Sequence, residues 1–465
     1  MTPTVAPADG APAPGLDQAA SAAVALLREG RWPDRRVAVA VVPRVGAGAP
    51  WSDPMPGEPA FQWRPPGRGG VWGLGKAAAV SGQGPERLAQ VWAAGKELMA
   101  ATAVADGSME SWRPRLFGGA AFLAGGAAAG AWRAFGDAAF WLPRWTAGGS
   151  PECAWLAVAA RLHDGRVAEQ ESARLLAEAR LLAASPVLGA RPAPPALTAV
   201  EEMPAAAWRS RVEAIKQVIS DGGCAKIVTA RRTRVVLPHP AAAEDVLDRL
   251  LAASPTCTGF LIRHGEAAFV GATPEHLLAR RGHEVVAEAL AGSWDAGADG
   301  AEAALLGSAK DREEHELVVE EVMARLRPFC RRLTAGGGPA VHRLPGLLHL
   351  RTPVHGVLRG PAAVLKLVEA LHPTPAVGGA PREAALAWIA AHEEEPRGWY
   401  SGPIGWFDAE GDGEFVVALR CGLLAGSEAL VYAGAGIVRD SDPEAEYAET
   451  ALKQQPMLRA LGASS

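Results

Sequence analysis

The chain has 465 residues, is 49% hydrophobic and 21% charged, and carries a net charge of −5 at neutral pH. This suits an ordinary globular protein with a sizeable core, of a length that suggests two or three domains. It leaves no broad basic field for a nucleic-acid partner. The five cysteines (Cys153, Cys224, Cys257, Cys330, Cys421) lie far apart with no C-x-x-C pair. That argues against a zinc site or a disulfide framework and suits a reducing, cytoplasmic setting. The first basic residue is Arg28, so the N-terminus lacks the charged start of a secretory signal. The most apolar stretch, Ala120 to Leu142, contains Arg133, Asp137 and many glycines, and reads as buried core rather than a membrane span.

Residues 1–16 are rich in proline and alanine and read as a disordered tail. A helix is expected from Leu16 to Glu29 and a strand from Val37 to Val42. Val71 to Met99 reads as strand, glycine-containing turn and helix. Its G-L-G-K-A (Gly73 to Ala77) does not fit the spacing of a phosphate-binding loop. A helix-like segment runs from Glu169 to Ala183, and Pro186 to Pro195 resembles a linker. No internal repeat is visible.

Beyond that stretch the pattern sharpens. Met203 to Asp221 is an amphipathic helix with Trp208, Val212, Ile215 and Ile219 at three- and four-residue spacing. Strands are expected at Lys226–Leu237, Gly259–Arg263, Ala267–Gly271, Leu277–Arg280 and Val285–Gly292, with a helix at Ala242–Ala253. Helices follow at Ser308–Thr334, Pro361–Leu371 and Pro381–Glu394. The end alternates: Tyr400–Asp408, Glu414–Leu424 and Ala429–Val438 as strands, then Pro443–Leu461 as a helix. G-D-G (Gly411 to Gly413) signals a hairpin turn. Antiparallel strands broken by helices point to a large mixed α/β fold, mainly antiparallel sheets flanked by helices.

Two acidic clusters stand out. In S-A-K-D-R-E-E-H-E (Ser308 to Glu316), Asp311 and Glu314 are three apart. In P-E-A-E-Y-A-E-T-A-L-K (Pro443 to Lys453), Glu446 and Glu449 are three apart and Lys453 follows four later. On a helix such positions share one face. An isolated acidic pair is ordinarily a solvated face. Two helices turning such pairs to one cleft would instead make an oxygen-rich site suited to Mg²⁺.

Between and around these clusters come K-I-V (Lys226 to Val228), V-G-A-T-P-E-H-L-L (Val270 to Leu278), A-L-A-G-S (Ala289 to Ser293) and L-L-H-L-R-T-P-V-H-G (Leu347 to Gly356). L-H-P-T-P-A-V-G-G-A-P (Leu371 to Pro381), R-G-W-Y-S-G-P-I-G-W (Arg397 to Trp406), A-L-R-C (Ala418 to Cys421) and G-A-G-I-V (Gly434 to Val438) follow. Read in order, the chain resembles the chorismate-utilising enzymes: isochorismate and salicylate synthases and the large subunits of anthranilate and aminodeoxychorismate synthase. The resemblance covers residues 203–463, the expected chorismate-binding catalytic domain. Residues 17–200 match only loosely. There G-G-A-A-F (Gly118 to Phe122) and A-F-W-L-P-R-W (Ala139 to Trp145) look like worn strands completing the same fold.

The resemblance implies Glu314 and Glu449 as Mg²⁺ ligands, with Asp311 and Glu446 in support. It also implies Arg420, Lys453 and the backbone of Gly434, Ala435 and Gly436 around a substrate carboxylate, His349 near the ring, and Ala376 and Tyr400 as further substrate-binding residues. Lys226 stands where water-using members place their general base, and must be neutral to take a proton. Glu275 stands where the family places the acid that protonates the departing hydroxyl. Aminodeoxychorismate synthases that use a covalent lysine carry it just before the glycine of A-L-A-G-S, where this chain has Ala291. The arginine-rich stretch that often follows is here W-D-A-G-A-D-G (Trp294 to Gly300). The resemblance thus implies an isomerase, an isochorismate synthase acting on chorismate with Mg²⁺. No glutamine amidotransferase subunit is expected, and a monomer is. A salicylate synthase and a catalytically silent binding subunit stay open, as does the pathway served, menaquinone or catechol siderophore synthesis.

Overall fold

The structure, a computed structural model, describes residues 15–44, 55, 57–109, 112–150, 153–185, 193–344 and 346–463. The expected tail, save its last two residues, and most of the linker-like stretch lie outside these. The described strands form two large sheets, of thirteen and ten strands. Neighbours in the first run Ala199–Glu201, Lys226–Val236, Glu428–Ile437, Cys421–Ala425, Ala267–Thr273, Thr258–His264, Ala60–Arg64, Val71–Leu74, Trp145–Ser150, Cys153–Arg161, Val37–Pro43 and Thr102–Val104. Gly379–Ala380 pairs beside Lys226–Val236. The second runs Cys330–Ala335, Leu347–Leu358, Glu284–Asp295, His276–Arg281, Gly413–Val417, Pro403–Asp408, Arg115–Ala120, Ala138–Leu142 and Ala78–Gly82, with Ala340–Leu344 beside Leu347–Leu358. Almost every pairing is antiparallel; Val37–Pro43 with Thr102–Val104 is parallel. In both sheets the strands up to Arg161 form one block and those from Ala199 onward another, joined by the pairing of Ala60–Arg64 with Thr258–His264 in the first and of Arg115–Ala120 with Pro403–Asp408 in the second.

The helices cover these sheets with apolar stripes. Trp208, Val212, Ile215 and Ile219 are all buried on the helix Ala205–Ser220, as their spacing requires. The helices Leu16–Glu29 and Pro443–Leu461 fall where the sequence puts them. Among the described residues, no helix is long and apolar enough to cross a membrane. Ala120–Leu142 is not one element but a short 3₁₀ turn at Gly130–Ala134 and a buried strand. Its aromatic side chains Trp132, Phe135, Phe140 and Trp141 sit in the core.

Three expectations are corrected. The helix from Ser308 stops at Leu326, and Cys330–Ala335 is a strand. Pro328 has no N–H to donate to the helical ladder, which ends there although Arg327 still has helical backbone, φ −51° and ψ −42°. Second, Glu414–Leu424 is two strands, Gly413–Val417 in one sheet and Cys421–Ala425 in the other. The chain crosses between the sheets at Ala418–Arg420, where Arg420 takes a left-handed backbone with φ 49°. Third, the strand expected from Tyr400 begins at Pro403, and Tyr400 lies in the preceding turn.

Candidate active site

A cleft of about 170 Å³ opens where the two sheets meet. One wall is the paired strands Lys226–Val236 and Glu428–Ile437, contributing Lys226, Val228, Gly434, Gly436 and, just beyond, Val438. The other is Glu284–Asp295 with Leu347–Leu358, contributing Leu290, Ala291, Gly292 and His349. The helix Ala309–Leu326 packs on Glu284–Asp295 and the helix Pro443–Leu461 on Glu428–Ile437, so each brings its acidic face to the rim. Lys226, Glu275, Asp311, Glu314, His349, Ala376, Tyr400, Arg420, Gly434, Gly436, Glu446, Glu449 and Lys453 all line this cleft. Ala435 does not: alternation along its strand turns the methyl into the core.

Local chemistry fixes each group. Lys226 lies across Gly436, where a Cβ would come within 2.4 Å of its Cε. Its Nζ is 2.6 Å from Glu314 Oε1. An ammonium so paired has no lone pair to offer, so a base role requires the amine to be neutral and turned from Glu314 to the substrate. Lys453 Nζ makes the matching pair with Glu449 Oε1 at 2.8 Å and donates to Gly434 O at 3.1 Å.

Glu275 is held by its own backbone. Its N–H donates to Thr273 Oγ1 at 3.2 Å, and its carbonyl accepts from Val417 N at 3.0 Å. Burial pushes its carboxyl up to about 7, against the opposing pull of Arg420 and Lys226. Near neutral pH it therefore carries a proton to give.

A bulge between Ala291 and Trp294 breaks the ladder with Leu347–Leu358. It turns the Gly292 carbonyl to accept from His349 Nδ1 at 2.7 Å. Burial, with Arg420 nearby, lowers this imidazole to about 3, so it is neutral and its Nε2 carries the lone pair. Tyr400 stacks on Tyr432 at 5.0 Å, and burial raises its hydroxyl pKa.

The acidic set is oxygen-only, which suits a hard cation such as Mg²⁺. Burial first, then the neighbouring Glu449 carboxylate, raises Glu446, and Ser441 Oγ donates to its Oε1 at 2.8 Å. Asp311 is engaged by Ser308, whose Oγ donates to the carboxylate and accepts from Asp311 N at 3.2 Å, a helix cap. Among the described residues, no three or more of His, Cys, Asp and Glu are gathered at a spacing that would hold a metal. In this arrangement Glu314 and Glu449 each face a lysine instead.

Sequence reading did not single out Lys310, Ser401 or Ser441. Lys310 and Ser401 line the cleft, and Ser441 orients Glu446. Lys310 sits inside the first acidic run, and S-D-P-E before the second is a legible helix start. Ser401 sits at φ 60°, for which a serine gives no signal. Trp294 does not line the cleft but packs with Ala301, Leu305, Leu348 and Leu350.

A family model described as chorismate binding enzyme matches residues 52–462, and the chain belongs to that family. It is 37% identical over 433 residues to a salicylate biosynthesis isochorismate synthase of Pseudomonas aeruginosa, covering 89% of this chain and 86% of that one. It is 39% identical over 273 residues to the isochorismate synthase MenF of Bacillus subtilis, covering 57% of this chain and 58% of the relative. A solved structure of the menaquinone-specific isochorismate synthase from Escherichia coli superposes with a TM-score of 0.80 at 26% identity, covering 96% of this chain and 100% of that one.

Proposed function

We propose that this chain is an isochorismate synthase, converting chorismate to isochorismate by adding water at C2 and releasing the C4 hydroxyl. The observation that carries this reading is one cleft holding a lysine beside a carboxylate and a buried carboxyl raised to about 7. Similarity to enzymes named isochorismate synthases supports it. The residues held for Mg²⁺ are Glu314 and Glu449, with Asp311 and Glu446 in support. Bound there, the ion supplies positive charge to grip one substrate carboxylate. Lys226, neutral when it acts, takes a proton from the incoming water. That oxygen bonds to C2, both ring double bonds shift, and the C4–O bond breaks. Glu275 gives its proton to the leaving hydroxyl, so one water enters and one leaves. Arg420 and Lys453 hold the other carboxylate, and neutral His349 accepts a hydrogen bond near the ring.

Lys226 as a base for water, together with Ala291 offering no lysine for a covalent route, supports a chain that works without glutamine, an amidotransferase subunit or ammonia, as a single cytoplasmic polypeptide. Residues 17–200 complete the fold of the catalytic region 203–463. The test is Lys226→Gln. Hydration should be lost, while added ammonia, which depends less on that base, can still add. A Lys226→Gln variant that hydrates chorismate at the wild-type rate overturns the assignment.

A further inference from the structure

The helix Pro443–Leu461 carries Glu446, Glu449 and Lys453 on its cleft side. One residue further along the same spacing lie Tyr447, Thr450 and Gln454, on the adjoining stripe. Thr450 and Gln454 are fully buried, and their side-chain partners Arg231 and Thr233 come from the strand that carries Lys226. Arg231 Nε donates to Thr450 Oγ1 at 2.7 Å, and its guanidinium lies 4.1 Å over the Tyr447 ring. Thr233 Oγ1 donates to Gln454 Oε1 at 3.0 Å, and Gln454 Nε2 to Val431 O at 3.1 Å.

Arg231 is only 1% exposed, yet its Nη1 and Nη2 have no hydrogen-bond partner, and the nearest carboxylate, Glu202, is 3.6 Å away. Burying a guanidinium so incompletely satisfied is costly for stability alone. We infer that Arg231 is a positioning residue: through Thr450 it fixes the rotation of the Pro443–Leu461 helix, and so the distance of Glu446, Glu449 and Lys453 from Lys226. This rests on the reading of the cleft as an Mg²⁺-assisted chorismate site. A small rotation of that helix would move both carboxylates together, and displacements of about 1 Å can cost about a hundredfold in rate.

The test compares Thr450→Val, which keeps shape and loses the acceptor, with Thr450→Ser, which keeps the hydroxyl. Half-saturating Mg²⁺ and the chorismate KM should rise about tenfold or more in Thr450→Val and in Arg231→Met, given that sensitivity to position. Thr450→Ser should stay near wild type, and the Arg231→Met/Thr450→Val double variant should be no worse than the worse single one. A lowered melting temperature with unchanged Mg²⁺ and chorismate half-saturation would show a merely structural role and overturn the inference. A wild-type chain that makes no isochorismate sinks the reading of the cleft instead. Amide exchange across Glu446–Lys453 then decides the clamp: faster exchange in Thr450→Val alone supports it, and equal exchange in both variants overturns it.

Discussion

Glu275 is a buried carboxyl lining the cleft. The residue is 6% exposed, and burial raises its carboxyl from 4.5 to about 7. As the proton donor it must be protonated, so turnover should fall as pH rises through about 7. Glu275→Gln should cost roughly 10²- to 10⁴-fold in kcat, the usual range for a general acid. The same shift bears on stability. Between pH 4.5 and about 7 the unfolded chain loses this proton while the folded chain keeps it, so stability falls across that window and stays lower above it. Glu275→Gln should therefore melt higher than wild type at pH 8 and gain much less near pH 4.5. Thermal melts at both values check this, and an equal difference at both would refute the cause given. The residues of the cleft were legible because each sits in a short run of unusual chemistry, such as Pro274-Glu275-His276. The Lys226–Glu314 contact was not, since its partners stand 88 residues apart.

Among the elements, the two acidic helices decide cation binding. The Glu314 and Glu449 side chains are 27% and 26% exposed, so neither holds up the core. Glu314→Gln or Glu449→Gln should abolish turnover at ordinary Mg²⁺ while leaving the melting temperature within a few degrees. Activity near wild type with an unchanged Mg²⁺ requirement would contradict the ligand roles. Helical spacing made the Pro443–Leu461 element and its carboxylates readable to the residue. The crossing at Ala418–Arg420 was not readable, because Ala-Leu-Arg lacks the glycine that a left-handed backbone ordinarily calls for. That crossing is what delivers Arg420 into the cleft. Arg420→Lys, keeping the charge but losing the fork, should raise the chorismate KM more than it lowers kcat in steady-state kinetics.

At the scale of the whole molecule, early and late strands form adjoining blocks of the same two sheets. Thr258–His264 pairs with Ala60–Arg64, and Pro403–Asp408 pairs with Arg115–Ala120. Cutting the chain at residue 203 would leave both as open edges beside bare apolar faces. Residues 203–463 alone should aggregate or melt without cooperativity, as circular dichroism would show; a sharp two-state melt would count against this. Fold class was legible from alternating strand and helix periods. Strand order was not, because it depends on pairings between segments hundreds of residues apart, on which local pattern is silent. The central claim is best tested by incubating the purified chain with chorismate and Mg²⁺ alone and identifying the products by chromatography and NMR. Isochorismate, in equilibrium with chorismate, is the predicted result; anthranilate, aminodeoxychorismate, or salicylate with pyruvate as the main product would contradict it.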